Sequence, residues 1–219
     1  IEVTEGAIKG GNDTATTLGS LIGLKDIKDI NISASSYSVD KDDVTEFVIG
    51  HRNVVHNGVS QEIIVVSVRG TNSTNAEWSS NFDVGADTSA YYSMMGNSHP
   101  HWLNKDNHKG FDVTANRVIE KILSYINTYV DVDAKKNILV TGHSRGAAIA
   151  NIIGKYFEDS NDFNSYTYTF ATPNTTTASN ASSYRTIFNI KNNDDLIPFL
   201  PMAKWGFTNY GRTYSISIQ

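Results

Sequence analysis

The chain has 219 residues, 39% hydrophobic and 11% aromatic, which suits one sizeable core and is short for two. Its formal net charge of −5 argues against nucleic acid as the main partner and gives no electrostatic pull toward an anionic membrane. The absence of cysteine excludes disulfides, thiolate metal sites and a cysteine nucleophile, and the longest apolar run, Ile63 to Val66 with Val68 beyond Ser67, is far too short to span a bilayer.

The sequence starts at Ile1. Removal of a signal peptide would account for that start, so a secreted or extracytoplasmic location is expected. Residues 1–45 read as an N-terminal covering segment. Gly10-Gly11-Asn12-Asp13 is a turn signal, and Leu18, Leu21, Ile22 and Leu24 suit one face of a short helix. The polar stretch KDIKDINIS after it is expected to cover a sheet edge. Residues 46–70 read as a β-hairpin, with Asn57-Gly58 at the turn between two β-rich runs. The second run is nearly continuously apolar, as for a strand buried on both faces. His51 and His56 are expected to be exposed strand-end residues.

Arg69-Gly70-Thr71 ends that strand. Backbone N–H groups and a hydroxyl just past a central strand are where an oxyanion hole can be built. Residues 84–110 form a long lid-like loop, unusually apolar through Tyr91, Tyr92, Met94, Met95 and Trp102. It also holds His99, His101, Asp106 and His108. No regular framework fixes their spacing, so ordinary loop histidines and no metal are expected. From Phe111 to Val130 the apolar spacing is helical, with one wide apolar face.

The sharpest signal is Asn137 to Asn151. A β run, Ile138 to Thr141, meets Gly142-His143-Ser144-Arg145-Gly146, and Ala147, Ala148, Ile149 and Ala150 follow. Strand, sharp turn and helix with a serine at the apex is the nucleophile-elbow pattern G-x-S-x-G. The glycines are needed because strand and helix approach closely on both sides of the serine. Residues 166–172 and 184–191 read as further strands, and the tail looks like a hairpin around Tyr210-Gly211. Strands alternating with helices argue for an α/β domain with a mostly parallel sheet flanked by helices, one domain over 1–219.

A serine hydroxyl needs a base, which is usually a histidine oriented by a carboxylate. Asp195 lies just past a predicted strand, where functional groups collect in open α/β sheets. Asp194 competes with it, and a solvated turn would use both aspartates equally well.

Several segments together resemble the class 3 lipases, in their bacterial-type branch, a fungal-lipase-like group of α/β-hydrolases. SVRGT at 67–71, EWSSNFD at 77–83, HKGF at 108–111, GHSRG at 142–146, TFATP at 169–173 and DDLIPFLP at 194–201 come in the family's order. The resemblance implies the α/β-hydrolase fold and hydrolysis of acylglycerol-type esters through an acyl-serine, with no cofactor and with substrate met at a lipid–water interface. It implies Ser144 as nucleophile, Asp195 as acid, Thr71 and Arg145 as oxyanion donors, and a structural His108. Two features depart from the family. Arg145 stands where leucine is usual, and its charge is expected to point outward or to pair with a carboxylate. No histidine follows His143, whereas the family's base lies near the C-terminus. A C-terminally truncated chain is the expected reason. The alternatives are that His99 or His101 serves as base, or that the chain is a catalytically silent lipid- or partner-binding relative. A thioesterase or acyltransferase on the same scaffold is the remaining enzymatic reading.

Overall fold

The computed structural model describes residues 19–33, 44–70 and 106–217. Seven strands form one sheet in sequential order: β1 (Lys25–Ser33), β2 (Val44–His56), β3 (Val59–Val68), β4 (Lys135–His143), β5 (Phe163–Phe170), β6 (Ile187–Asn192) and β7 (Arg212–Ile216). β2 is antiparallel to both its neighbours, β1 and β3, while β3 to β7 run parallel. Helix α1 (Lys109–Tyr129) connects into β4, and α2 (Arg145–Asp159) connects β4 to β5. Parallel crossovers are right-handed, so a strand order that advances one way puts both helices on one face. They pack there against each other and against the sheet.

The local causes are visible in the sequence. Asn57 and Gly58 take φ of 52° and 75°, the left-handed pair that a two-residue hairpin requires. β3 is apolar on both faces, and Ile64, Val65, Val66 and Val68 are all buried. α1 presents Phe111, Ala115, Val118, Ile119, Ile122 and Ile126 to the core. α2 adds Ala148, Ile149, Ile152, Ile153 and Phe157, and the sheet answers with Phe47, Ile49, Ile64, Val66, Ile138, Val140 and Ile187. Ile153 is fully buried in this layer. Ile153→Val is expected to cost about 1 kcal/mol, read as a shift in the denaturation midpoint with an unchanged slope.

The structure corrects the sequence reading at several places. KDIKDINIS does not cover the edge but forms it, as β1 hydrogen-bonded to β2. Its register shifts between Lys25 and Lys28, and that irregularity breaks the period-two pattern a strand should show. The tail is no hairpin: β7 is a parallel strand on β6, and Tyr210 before it is fully buried rather than at a turn tip. His51 is buried, not exposed, and the last two residues of the expected 84–110 loop belong to α1. The rest of that loop through residue 105, with His99 and His101, lies outside the described residues. His108 caps α1, fully buried and stacked on Phe111 at 4.2 Å between ring centroids.

Candidate active site

Ser144 sits between the last residue of β4 and the first of α2, with φ 55° and ψ −126°. This conformation is sparsely populated for any residue but glycine and stores roughly 1–3 kcal/mol. The surroundings hold it in place. The Ser144 N–H donates to the Phe170 carbonyl at the end of β5 (2.9 Å), and the Ser144 carbonyl accepts from Ala147 (2.9 Å) and Ala148 (3.2 Å). Strand and helix thus clamp the apex from both sides, and the serine side chain stays half-exposed.

Both glycines of the pentapeptide are required sterically. A Cβ on Gly142 would overlap the Gly146 carbonyl, and a Cβ on Gly146 would overlap the carbonyls of Val68 and Arg69. The obstacles are backbone atoms, which cannot rotate aside. Gly146→Ala should therefore cost about 3 kcal/mol, enough to push β3 away from the elbow. Chemical denaturation of the purified variant measures this.

The end of β3 lies directly beside the serine. Val68 is level with Gly142 in the parallel register. A Cβ placed on Gly70 would stand 3.0 Å from the His143 carbonyl oxygen and 3.7 Å from Ser144 Cβ. Thr71, the next residue in sequence, is outside the described residues. Arg145 is the first residue of α2, so its backbone N–H lies at the positive end of a 15-residue helix. His143 is exposed at the rim of the elbow.

The Arg145 side chain does not point outward. It is 2% exposed, and its Nη1 donates to Thr45 Oγ1 at 3.1 Å. One residue along β2, the Glu46 carboxylate accepts from Arg69 Nη1 at 3.1 Å, and the Glu46 carbonyl accepts from the Arg69 N–H at 2.9 Å. The start of β2 thus braces both the helix that follows Ser144 and the strand end beside it. Nothing in the sequence pointed to Thr45 or Glu46, which lie about a hundred residues from Arg145.

Asp195 lies past the end of β6, between Asn192 and the 3-10 turn Ile197–Phe199. β6 is two strands from β4, a lateral separation of about 10 Å. The C-terminal ends of β4, β5 and β6 are in register, with His143 opposite Phe170 and Phe170 opposite Ile190. Asp195 and Ser144 therefore occupy one rim of the sheet. Asp195 is half-buried, and its Oδ1 accepts from the Ile197 N–H at 3.0 Å. Asp194 is exposed, and its N–H donates to Asn192 Oδ1 in the turn.

A buried polar network joins the helix after Ser144 to β6, the strand that precedes Asp195. Asn151 Nδ2 of α2 donates to Asn189 Oδ1 of β6 and to the Tyr210 carbonyl, both at 2.9 Å. Asn189 Nδ2 donates to the same carbonyl at 2.9 Å, and Thr169 donates to Asn189 Oδ1 at 2.6 Å. The Tyr210 hydroxyl donates to Asn107 Oδ1 at 2.6 Å. Every bond here crosses between segments far apart in sequence, which is why no local pattern revealed it.

The family model described as Lipase (class 3) matches residues 65–205, more than half of the chain. A search of the curated proteins finds no match. Among solved structures, the lipase from Rhizopus microsporus var. chinensis is similar at 19% identity and TM-score 0.64, over 98% of this chain and 72% of that one. The mono- and diacylglycerol lipase from Aspergillus oryzae is similar at 20% identity and TM-score 0.65, over 94% and 68%. The Rhizomucor miehei triacylglyceride lipase follows at 20% and 0.59, over 98% and 77%. These likenesses give the α/β-hydrolase fold, and with the family match over residues 65–205 the chain belongs to the class 3 lipase family.

Proposed function

We propose that this protein is a serine carboxylic-ester hydrolase acting on acylglycerol-type or smaller lipid esters. The observation that carries the proposal is the strained Ser144 at the strand–helix apex, in a chain whose family is that of the class 3 lipases. Ser144 Oγ attacks the ester carbonyl and forms a tetrahedral oxyanion. The Arg145 N–H, and the N–H and hydroxyl of Thr71, receive that charge, each donor contributing about 3 kcal/mol to barrier lowering. Collapse expels the alcohol and leaves an acyl-serine, which water then hydrolyses.

Asp195 is proposed to orient the imidazole that carries the proton between serine, leaving group and water. None of the six histidines follows His143 in the 219 residues. Within them, His99 and His101 are the candidates for that imidazole. The second reading is a catalytically silent relative that binds lipid or a partner on the same scaffold.

A substrate panel on the natural full-length polypeptide separates these readings. It contains p-nitrophenyl butyrate, emulsified triacylglycerol, monoacylglycerol and an acyl-CoA thioester. The expected result is turnover of the oxygen esters. Thioester turnover alone would shift the assignment to a thioesterase, and binding of lipid with no turnover would establish the silent relative.

A further inference from the structure

Away from the elbow, in the middle of β2, His51 stands between two carboxylates. Its Nδ1 lies 2.8 Å from Glu62 Oε2 of β3, and its Nε2 lies 3.1 Å from Asp26 Oδ2 of β1. His51 and Glu62 are both buried, and Glu62 Oε1 also accepts from Asn53 at 3.0 Å. An ionised carboxylate only accepts hydrogen bonds. With both carboxylates ionised, a ring that bonds them through both nitrogens needs both N–H protons.

The edge strand is bent to make this contact. Asp26 takes φ 49°, in the left-handed region, and the register of β1 on β2 shifts between Lys25 and Lys28. A bulge of this kind re-aims a side chain, here the Asp26 carboxylate onto His51. Tyr125 of α1 supports the bulge from above. Its hydroxyl lies 3.0 Å from the Asp26 carbonyl and 3.4 Å from that of Lys25, and its ring meets His51 edge-on at 6.1 Å. Burial, then the charges of Asp26 and Glu62 and the neighbouring Tyr129, hold the Tyr125 phenol well above its ordinary value, so it remains a donor.

We propose that Asp26, His51 and Glu62 form a protonation-dependent clasp that fastens edge strand β1 to the sheet. With both ring protons present, one side chain from each of three strands is joined. Loss of one proton sets a ring lone pair against a carboxylate oxygen in a buried site, and the more exposed arm, Asp26, lets go. Of the nearby charged residues, Lys25 is level with His51 in the β1–β2 register, the Lys28 amine lies over the Tyr129 ring of α1, and Arg52 reaches the Ile22 carbonyl. The far end of β1 pairs Asn31 with Glu46 and Ile32 with Thr45. These are the two β2 residues that hold Arg69 and Arg145, so opening the clasp loosens the brace of the elbow. The functional meaning of that coupling rests on the proposed role of Ser144, whereas the clasp itself does not.

Hydrogen–deuterium exchange on the full protein tests this, with rates corrected for the intrinsic pH dependence of exchange. Protection of residues 25–33 is expected to fall about tenfold or more between about pH 5 and about pH 8, while 135–140 stay constant. His51→Gln is expected to show low protection of 25–33 at both ends of the range. Should that variant fail to fold, Asp26→Asn keeps the His51–Glu62 bond and is expected to give a reduced, flat profile. Nitrogen-15 NMR of His51 should show two ring N–H groups at the acid end and one at the other. A wild-type profile for 25–33 without slope, or the full wild-type slope in Asp26→Asn, overturns the clasp. A fall confined to 25–33 that leaves 143–150 untouched overturns only the coupling to the elbow.

Discussion

Ser144→Ala should lower kcat for ester hydrolysis by about 10⁴- to 10⁶-fold and leave KM within a few-fold of wild type. The reason lies in what the substitution removes and what it keeps. The nucleophilic oxygen is lost, so no acyl-enzyme can form. The Arg145 N–H, the β3 end at Gly70 and the elbow's backbone bonds from Phe170, Ala147 and Ala148 stay in place. Residual rate then comes only from an oxyanion hole and binding acting on a water molecule. Melting temperature should change by a few degrees at most, because alanine meets the same φ of 55° that serine tolerates. Steady-state kinetics on p-nitrophenyl butyrate together with calorimetry check both halves. Equal turnover by variant and wild type would remove Ser144 from the mechanism.

Asp195→Asn is expected to lower kcat by about 10³- to 10⁴-fold. The isosteric amide can still accept the Ile197 N–H bond at Oδ1, so the turn after β6 keeps its shape. What it loses is the negative charge that stabilises a developing imidazolium and fixes the ring's tautomer. Asp194→Asn is the internal comparison. Asp194 is exposed, and its backbone N–H, not its carboxylate, makes the turn contact with Asn192. That variant should keep at least about half the wild-type rate. If Asp194→Asn were the damaging change, the acid would have been assigned to the wrong residue of the pair.

The elbow was legible because its requirements are local. A strained serine needs glycine on both sides and small residues after it, and Gly142, Gly146, Ala147 and Ala148 satisfy that within seven positions. The hairpin was legible for the same reason, with Asn57-Gly58 fixing turn type and register together. The difference between Asp194 and Asp195 was not legible. Sequence placed two aspartates at a strand end, and only the structure separated an exposed Asp194 from a half-buried Asp195 with one oxygen already held.

The misreadings have one physical origin, partners distant along the chain. Arg145 carries a charge that ordinarily stays at the surface. Its burial overturns the outward half of the reading, and its contact with Thr45 is one that no spacing in the sequence announces. His51 is buried because two other strands bring carboxylates to it. Tyr210-Gly211 carries a turn's composition, yet Asn151 and Asn189 draw the Tyr210 backbone into the core, and β7 becomes a parallel strand. Period-two alternation cannot distinguish a parallel strand from one half of a hairpin. β1 escaped notice because the bulge that aims Asp26 at His51 also interrupts its alternation.

The central claim is that Ser144 is an activated nucleophile. Its most direct test is covalent capture: incubate the natural full-length protein with an alkyl fluorophosphonate and locate the adduct by tandem mass spectrometry. The account predicts one phosphonyl group, on the Ser144 side chain, forming at the rate at which esterase activity disappears. An active esterase whose adduct lies on any other residue, or which carries no adduct while its activity persists, would contradict it.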